Sequence, residues 1–332
     1  MAILVTGGAG YIGSHTVVAL SEAGFEVVVV DNLCNSSQEV LVAVEGLVGG
    51  EVPFYEVDIR DKNGLVEVFK NYKFEAVVHF AALKSVSESV EMPELYMDNN
   101  VGGTEVLLEV MKEAGVGNIV FSSSCTVYGQ PKVIPVDENA LILPAESPYG
   151  LTKQLCEERI AEFAKGAGES AVALLRYFNP IGAHHTSKIG ESPKGVPNNL
   201  VPFLCQAVAG IRGELVVFGD DYPTEDGSCV RDYLHVCDLA EAHVAAVKGL
   251  RTGECEAYNL GTGRGSSVLE LINEFEKSTG KKVPYKIGNR RDGDIVEIYA
   301  DPSKAENELG WSANRSMGEA LRDAWNWTKS NL

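Results

Sequence analysis

Tyr149 and Lys153 stand four residues apart in Pro148-Tyr149-Gly150-Leu151-Thr152-Lys153, a spacing that puts both side chains on one face of a helix. A phenol beside an ammonium suggests proton transfer. Free tyrosine titrates near 10 and is a poor base at neutral pH; lowering that by about 3 units requires roughly 4 kcal/mol. Two neighbouring positive charges in a desolvated cleft could supply it by favouring phenolate, so Tyr149 is expected to titrate well below its ordinary value. Alone, Y-x-x-x-K occurs on many ordinary helices. Ser122-Ser123-Ser124 closes an apolar run ahead of Cys125-Thr126-Val127-Tyr128. Hydroxyls at the carboxyl end of a parallel strand open into a ligand crevice, where Ser124 could share a proton with Tyr149. A serine cap on a loop explains any one of the three as easily.

The second positive charge has a source at the N-terminus. Leu4-Val5-Thr6-Gly7-Gly8-Ala9-Gly10-Tyr11-Ile12-Gly13 contains GxGxxG at Gly8, Gly10 and Gly13, and GxxGxxG at Gly7, Gly10 and Gly13, directly after a strand and opening a helix. The turn is tight, a pyrophosphate must approach the backbone, and the helix start offers free N–H groups to phosphate. Dinucleotide binding follows, and an oxidised nicotinamide carries the charge. Asp31 ends the second strand, 18 residues beyond Gly13, where a carboxylate accepts from ribose hydroxyls and repels a 2′-phosphate; NAD is favoured over NADP. A turn cap is the plain alternative for Asp31. Asp58, ending the third strand, is either an adenine acceptor or a strand-end cap.

These groups need elements to carry them. The chain has 332 residues, 45% hydrophobic and 23% charged, so two unequal domains are expected. Ile3–Val5, Glu26–Val30, Pro53–Val57, Ala76–Phe80, Asn118–Ser122 and Ala171–Arg176 read as strands, and the segments Tyr11–Ala23, 61–72, 98–114 and 149–166 as helices. That alternation predicts an α/β fold: a doubly wound parallel sheet of the Rossmann type, with a second, smaller mixed α/β domain. Residues 180–197 and 219–229 read as loops, whereas the helix Asp238–Leu250 and the strand Ala257–Leu260 look as though they rejoin the sheet. The expected division is 1–179 plus about 231–262 for the cofactor, and about 180–230 plus 263–332 for the substrate.

The net charge of -19 and pI near 4.8 argue against nucleic acid or an anionic membrane as partner. A few local arginines can still hold an anionic substrate. Seven scattered cysteines without a CxxC pair fit reduced thiols, and no metal site is expected. Met1 to Thr6 reads as a buried strand, not a signal peptide, and no apolar run suggests a membrane span, so a cytoplasmic protein is expected.

With these motifs the sequence resembles the extended short-chain dehydrogenase/reductase superfamily and, within it, the UDP-galactose 4-epimerases. The likeness runs from residue 3 to about 327 through TGGAGYIGSHT, DNLCNS, HFAALKSVSESV, SSSCTVYG, SPYGLTK, LLRYFNPIGAH, GVPNNLVPF, DYPTEDGSCVRDYLHVCDLA, YNLGTG and RRDGD. The resemblance implies NAD contacts at Gly7, Gly10, Tyr11, Ile12, Gly13, Asp31, Asn32, Asn35, Ser36, Asp58, Ile59, Phe80, Ala81, Lys84, Asn99 and Ser122. Tyr149 and Lys153 belong to the same set, and Tyr177 and Phe178 fall beside the nicotinamide. It implies substrate contacts at Ser124, Asn179, Asn199, Leu200, Arg231, Arg291 and Asp294, with the two arginines on the diphosphate. As isolated arginines both would be read as solvated surface residues. Ile298 matches the residue that gates the hexose 2-substituent; isoleucine lies between the aromatic that excludes N-acetyl sugars and the small residue that admits them. Cys125, Ala82, Leu151 and Thr152 depart from the family pattern without removing a catalytic group.

The implied activity is reversible epimerisation of UDP-galactose and UDP-glucose at hexose C4, through a 4-keto sugar that turns while its diphosphate stays held, by a homodimer built on the helices at 98–114 and 149–166. The rival enzymes, nucleotide-sugar 4,6-dehydratases or decarboxylases, begin with the same oxidation. The dehydratases place an Asp-Glu pair where this chain has Cys125 and Thr126. A non-catalytic NAD sensor on the same fold is the remaining reading.

Overall fold

Seven strands form one wholly parallel sheet, its middle rich in valine: β1 (Ala2–Thr6), β2 (Glu26–Asp31), β3 (Phe54–Glu56), β4 (Phe74–His79), β5 (Ile119–Ser124), β6 (Val172–Tyr177) and β7 (Cys255–Leu260). Their order is β7-β6-β5-β4-β1-β2-β3 in this computed structural model, which describes residues 2–166, 170–291 and 293–332. From β1 the chain winds outward through β2 and β3, then returns to β4 and winds the other way. The reversal between β1 and β4 opens a crevice at the strands' carboxyl ends, the usual ligand position in such sheets.

Both faces of the sheet are covered, which explains the unbroken apolar runs Ala2–Val5, Val27–Val30 and Ala76–Val78. Ile3 and Val5 face a core with Val17 and Leu20 of α1 (Tyr11–Glu22), Val44 of α2 (Gln38–Val48) and, from farther along the chain, Leu239 and Ala246. Leu4, pointing the other way, packs with Leu65 of α3 (Lys62–Asn71), Leu107 and Met111 of α4 (Gly103–Glu113) and Ile160 of α5 (Pro148–Gly166). A period of two splits β1 between the two cores. After β6 the chain leaves the sheet for α6 (Leu200–Val208), then returns through α7 (Val236–Gly249) and β7, as expected.

A separate core of Leu204, Tyr233, Leu271, Phe275 and Leu321 gathers α8 (Val268–Thr279) and α9 (Met317–Ser330), whereas Ile189, Ala305 and Trp311 join the sheet core. Both helices start with capping boxes, Ser267 with Glu270 and Ser316 with Glu319. Short strands tie this part to the crevice: Val230–Arg231 lies between Ser266–Ser267 and Glu297–Ile298, and Leu215–Phe218 pairs with Tyr285–Gly288.

Local differences from the sequence reading have physical causes. The helix expected at 98–114 begins with a π-helical stretch, Met97–Gly102, that turns Asn99 and Asn100 inward. Asn179–Ile181 opens the expected loop as a strand paired with Tyr233–His235. The first strand starts at Ala2, Met1 lying outside the described residues. Among the described residues no helix is long and apolar enough to cross a membrane.

Candidate active site

The glycine turn is built by exclusion. Gly7 has φ +71, and a Cβ there would lie 2.7 Å from the Ala81 nitrogen; at Gly13 it would lie 2.2 Å from the Gly7 carbonyl oxygen. Strand end, turn and first helical turn thus approach more closely than any side chain permits. Gly10, the N-cap of α1, has no side chain to cap the helix, so the first N–H groups remain for a ligand anion. Ile12 and Tyr11 follow on that first turn, and the Tyr11 hydroxyl donates to the Gly182 carbonyl at 2.7 Å.

Asp31 is buried at the end of β2 and accepts from Ala9 N at 3.1 Å, Leu33 N at 2.8 Å and the Ser36 hydroxyl at 3.1 Å. It therefore caps its own turn, as the plain reading held, and still has acceptor capacity for a ribose hydroxyl. Burial raises its carboxyl above the usual range. Asp58 is more heavily engaged. It accepts from Asn32 Nδ2 at 2.8 Å, from Arg60 N and Nε at 2.9 Å each, and from Arg60 Nη2 at 2.8 Å. The guanidinium holds this carboxyl well below its ordinary value, and an adenine amino group would have to displace one of the four donors. Ile59 is buried beside it, while Asn35 stays exposed.

Across the crevice, Phe80 and Ala81 follow β4 and face the glycine turn, with the Phe80 ring 4.7 Å from that of His243. Asn99 donates to Asn100 Oδ1 at 2.9 Å. Asn100 donates in turn to the Leu83 carbonyl and to Thr152, so the π-helical stretch fastens the β4 loop to α5. The Tyr177 hydroxyl is buried beside Tyr149 and Ser122, and among the described residues it makes no hydrogen bond of ordinary geometry, Ser122 being near but poorly aligned. A side-chain-free cradle, an uncapped helix start, an acceptor at the end of β2 and an unsatisfied hydroxyl at the far end fit a dinucleotide laid across the switch point.

Ser122, Ser123 and Ser124 close β5, and Tyr149 and Lys153 rise from the first turns of α5 beside them. Lys153 is 3% exposed; its Nζ donates to the Ser122 carbonyl at 2.6 Å and lies 5.8 Å from the Tyr149 ring centre. Burial lowers its pKa to about 8. The Ser124 oxygen accepts from Thr126 N at 3.2 Å and caps the 3-10 turn of Cys125–Tyr128.

Burial pushes the Tyr149 phenol up from its ordinary value in the protein alone, with Ser124 pulling the other way. In the protein alone the low dielectric of the cleft penalises the anion, and the expected lowering of the phenol counts on the charge of a bound oxidised nicotinamide as well as on Lys153. Cys125 is buried beside this site with its thiol pushed up to about 12, so it is no acid at neutral pH.

The substrate candidates surround the opening. Asn179 starts the strand after β6, and Asn199 and Leu200 are the N-cap and first residue of α6. Arg231 lies close enough for its charge to lower the Cys125 thiol, which puts it near Ser124. Arg291 pairs with Asp294 at 2.6 Å and sits 5.3 Å above the Phe218 ring. Ile298, 2% exposed, shares an apolar cluster with Cys125, Tyr128, Val136 and Phe178. Lys84 lies 5.9 Å from the Tyr11 ring centre and pairs with Glu191, 2.9 Å off, which Asn199 also reaches at 2.7 Å. Asn100, Glu191 and Phe218 were not singled out from the sequence; an aromatic that closes the apolar run Leu215–Phe218 just ahead of a Gly-Asp-Asp loop is the signal that could have found Phe218. Among the described residues no cluster of three or more His, Cys, Asp or Glu is placed to hold a metal.

A family model described as GDP-mannose 4,6 dehydratase matches residues 4–324. A UDP-glucose 4-epimerase of Bacillus subtilis is 53% identical, over 100% of this chain and 98% of that protein. A crystal structure of UDP-glucose 4-epimerase from Stenotrophomonas maltophila with bound NAD and formylated UDP-arabinopyranose is 48% identical with TM-score 0.97, over 100% of this chain and 98% of that one. That from Bifidobacterium longum in complex with NAD+ and UDP is 45% identical with TM-score 0.97, over 100% and 99%. The dehydratase likeness is that of the wider superfamily, whereas identity across the whole length is with epimerases. The chain belongs to the UDP-glucose 4-epimerase family of the extended short-chain dehydrogenases/reductases.

Proposed function

We propose that this chain interconverts UDP-galactose and UDP-glucose by inverting hexose C4, with NAD as resident cofactor. The observation that carries the reading is the meeting of Ser124, Tyr149 and Lys153 at the carboxyl end of β5, beside the switch point of the sheet. Tyr149 removes the 4-hydroxyl proton and later returns it, and Ser124 holds that hydroxyl. Lys153, braced on the Ser122 carbonyl, anchors the nicotinamide ribose and keeps a positive charge beneath the phenol. When bound, NAD+ supplies the hydride acceptor and donor and the positive charge that offsets the burial of Tyr149. Gly7, Gly10, Gly13 and the first turn of α1 receive the pyrophosphate, and Asp31, with Asn32, Asn35 and Ser36 of its loop, receives the adenosine ribose. Tyr177 and Phe178 line the ring end.

Inversion requires the UDP held and the hexose free to turn. Arg231 and Arg291 grip the diphosphate, Asn179, Asn199, Leu200 and Asp294 complete the grip, and the Phe218 face suits the base. Walls of Phe178, Cys125 and Ile298 offer the hexose apolar surface without fixed polar contacts. Cys125 and Thr126 supply no acid pair for a dehydratase elimination. Incubation with UDP-galactose and no added reductant should yield UDP-glucose; a 4-keto-6-deoxy product would indicate a dehydratase, and no turnover a sensor. Relative rates with UDP-GalNAc and UDP-galactose measure how far Ile298 gates the 2-substituent.

We place this activity in cytoplasmic galactose metabolism. The proposed division is a cofactor domain of residues 1–179 plus about 231–262, and a UDP-sugar domain of about 180–230 plus 263–332. We propose a homodimer through α4 and α5, supported by exposed Met92, Met97 and Leu151 near these helices. Leu151→Glu should yield monomers on sedimentation, and an unchanged dimer would exclude that face.

A further inference from the structure

Three residues of α5 four apart, Tyr149, Lys153 and Glu157, lie on one helix face, and the reaction described above uses only the first two. Glu157 is a buried carboxylate locked from two sides. Its Oε1 accepts from the Ser123 hydroxyl at 2.5 Å and from Arg176 Nε at 2.9 Å, and its Oε2 from Arg176 Nη2 at 2.6 Å. Arg176 lies opposite Ser123 in the β5–β6 register, so adjacent strands seize one carboxylate of the helix above them. The three serines of β5 thereby each meet one of the three helix residues: the Ser122 carbonyl holds Lys153, the Ser123 hydroxyl holds Glu157, and Ser124 faces Tyr149.

The clamp extends to the hexose side. Arg176 Nη1 donates to the Tyr128 hydroxyl at 3.1 Å, which donates to Asn259 Oδ1 at 2.7 Å. Asn259 Nδ2 donates to the Val136 carbonyl at 2.8 Å, and Val136 N to the Tyr299 carbonyl at 3.0 Å, one residue from Ile298. A buried ion pair is rarely more stabilising than a well-packed apolar pair, so stability alone gives little reason for it. What the fork geometry does supply is a single allowed register.

We propose that Glu157, gripped by Ser123 and Arg176, is a positioning residue for the epimerase reaction: it sets α5 against β5 so that the phenol and ammonium stay aligned. The inference rests on the assignment of Tyr149 and Lys153 above. Besides Glu157, the groups around Lys153 are the Ser122 carbonyl, the rings of Phe121 and Tyr149, the Cys156 thiol and His79, which burial keeps neutral. Losing the Glu157 charge strips Lys153 of a nearby anion and leaves Arg176 uncompensated; both changes make the ammonium easier to deprotonate.

The test compares the parent protein with Glu157→Gln and Ser123→Ala, measuring kcat and KM for UDP-galactose, NAD content, melting temperature and the alkaline limb of the pH profile. Glu157→Gln should lower kcat about ten-fold or more, leave KM within two-fold and move the alkaline limb to lower pH. Ser123→Ala, which leaves the ion pair in place, should lower kcat about three-fold without loss of NAD or melting temperature. A folded Glu157→Gln with parental kcat and an unmoved limb overturns the proposal. If Glu157→Gln does not fold, Ser123→Ala decides, and parental kcat there overturns it equally. A parent protein without turnover would defeat the epimerase reading itself; an active parent with unaffected variants defeats only the role of Glu157.

Discussion

The floor of the crevice and its rim handle charge in opposite ways. Beneath Tyr149, Arg176 and Glu157 are 8% and 10% exposed and joined by a two-pronged pair, and Lys153 is bonded to a carbonyl. At the rim, Arg291 is 59% exposed and Lys84 is 48% exposed, each with one carboxylate partner that solvent and salt can replace. A reaction that removes and returns one proton needs fixed geometry below. A diphosphate that must enter, and a sugar that must turn, need adaptable groups above. The contrast teaches that low dielectric is used here to hold position, and long solvated side chains to hold ligand.

Breaking the floor at its reacting atom gives the largest effect. Tyr149→Phe keeps the ring and removes the oxygen, so kcat should fall by about 10²–10⁴ with NAD content and melting temperature unchanged. A near-parental rate would refute the assignment of the base. Next comes the cradle. Gly13→Ala would place a methyl group 2.2 Å from the Gly7 carbonyl, backbone against backbone, so purified protein should carry less than about a tenth of the parental NAD. Retention of the full complement would show that the turn relaxes, and that the floor is less rigid than its contacts imply.

Acid should attack the same half. His15, His79 and His243 are buried in the half built on the parallel sheet, their pKa values lowered by burial to about 3, about 3 and about 4. In this case the unfolded chain binds protons that the folded chain refuses. Stability therefore holds above the unfolded value near 6.5 and is lost as pH falls toward 3, by on the order of a few kcal/mol per histidine. Melting temperature should fall steeply below pH 6.5 with loss of NAD. A flat profile between pH 6.5 and 4 would mean that these histidines accept protons in place.

The cofactor half was readable because its rules are local. The glycine spacing, the strand-end acid and Y-x-x-x-K each concern residues within one turn or one strand, and β1, α1 and α5 appear where the pattern put them. Glu157 was not legible as a functional residue, although it lies one turn past Lys153, because its meaning depends on Arg176 arriving from the next strand. How strongly burial opposes ionisation of Tyr149 was not legible, because charges can be counted along a sequence, whereas desolvation is known only after packing. The substrate side was reached through family likeness; its strands have as few as two residues and leave no periodic trace.

The rim offers the finest test. Arg291 is exposed and held to Asp294 over the Phe218 ring, so it should contribute the same binding to ground state and transition state. Arg291→Ala is then expected to raise KM for UDP-galactose by no more than about ten-fold while kcat stays within two-fold. Because the contact is solvated, the gap between parent and variant should narrow in 0.5 M salt, where the screening length falls to about 4 Å. Should kcat fall with KM unchanged, Arg291 would act only while the sugar reacts, and the division between a rigid floor and a merely holding rim would fail at that residue.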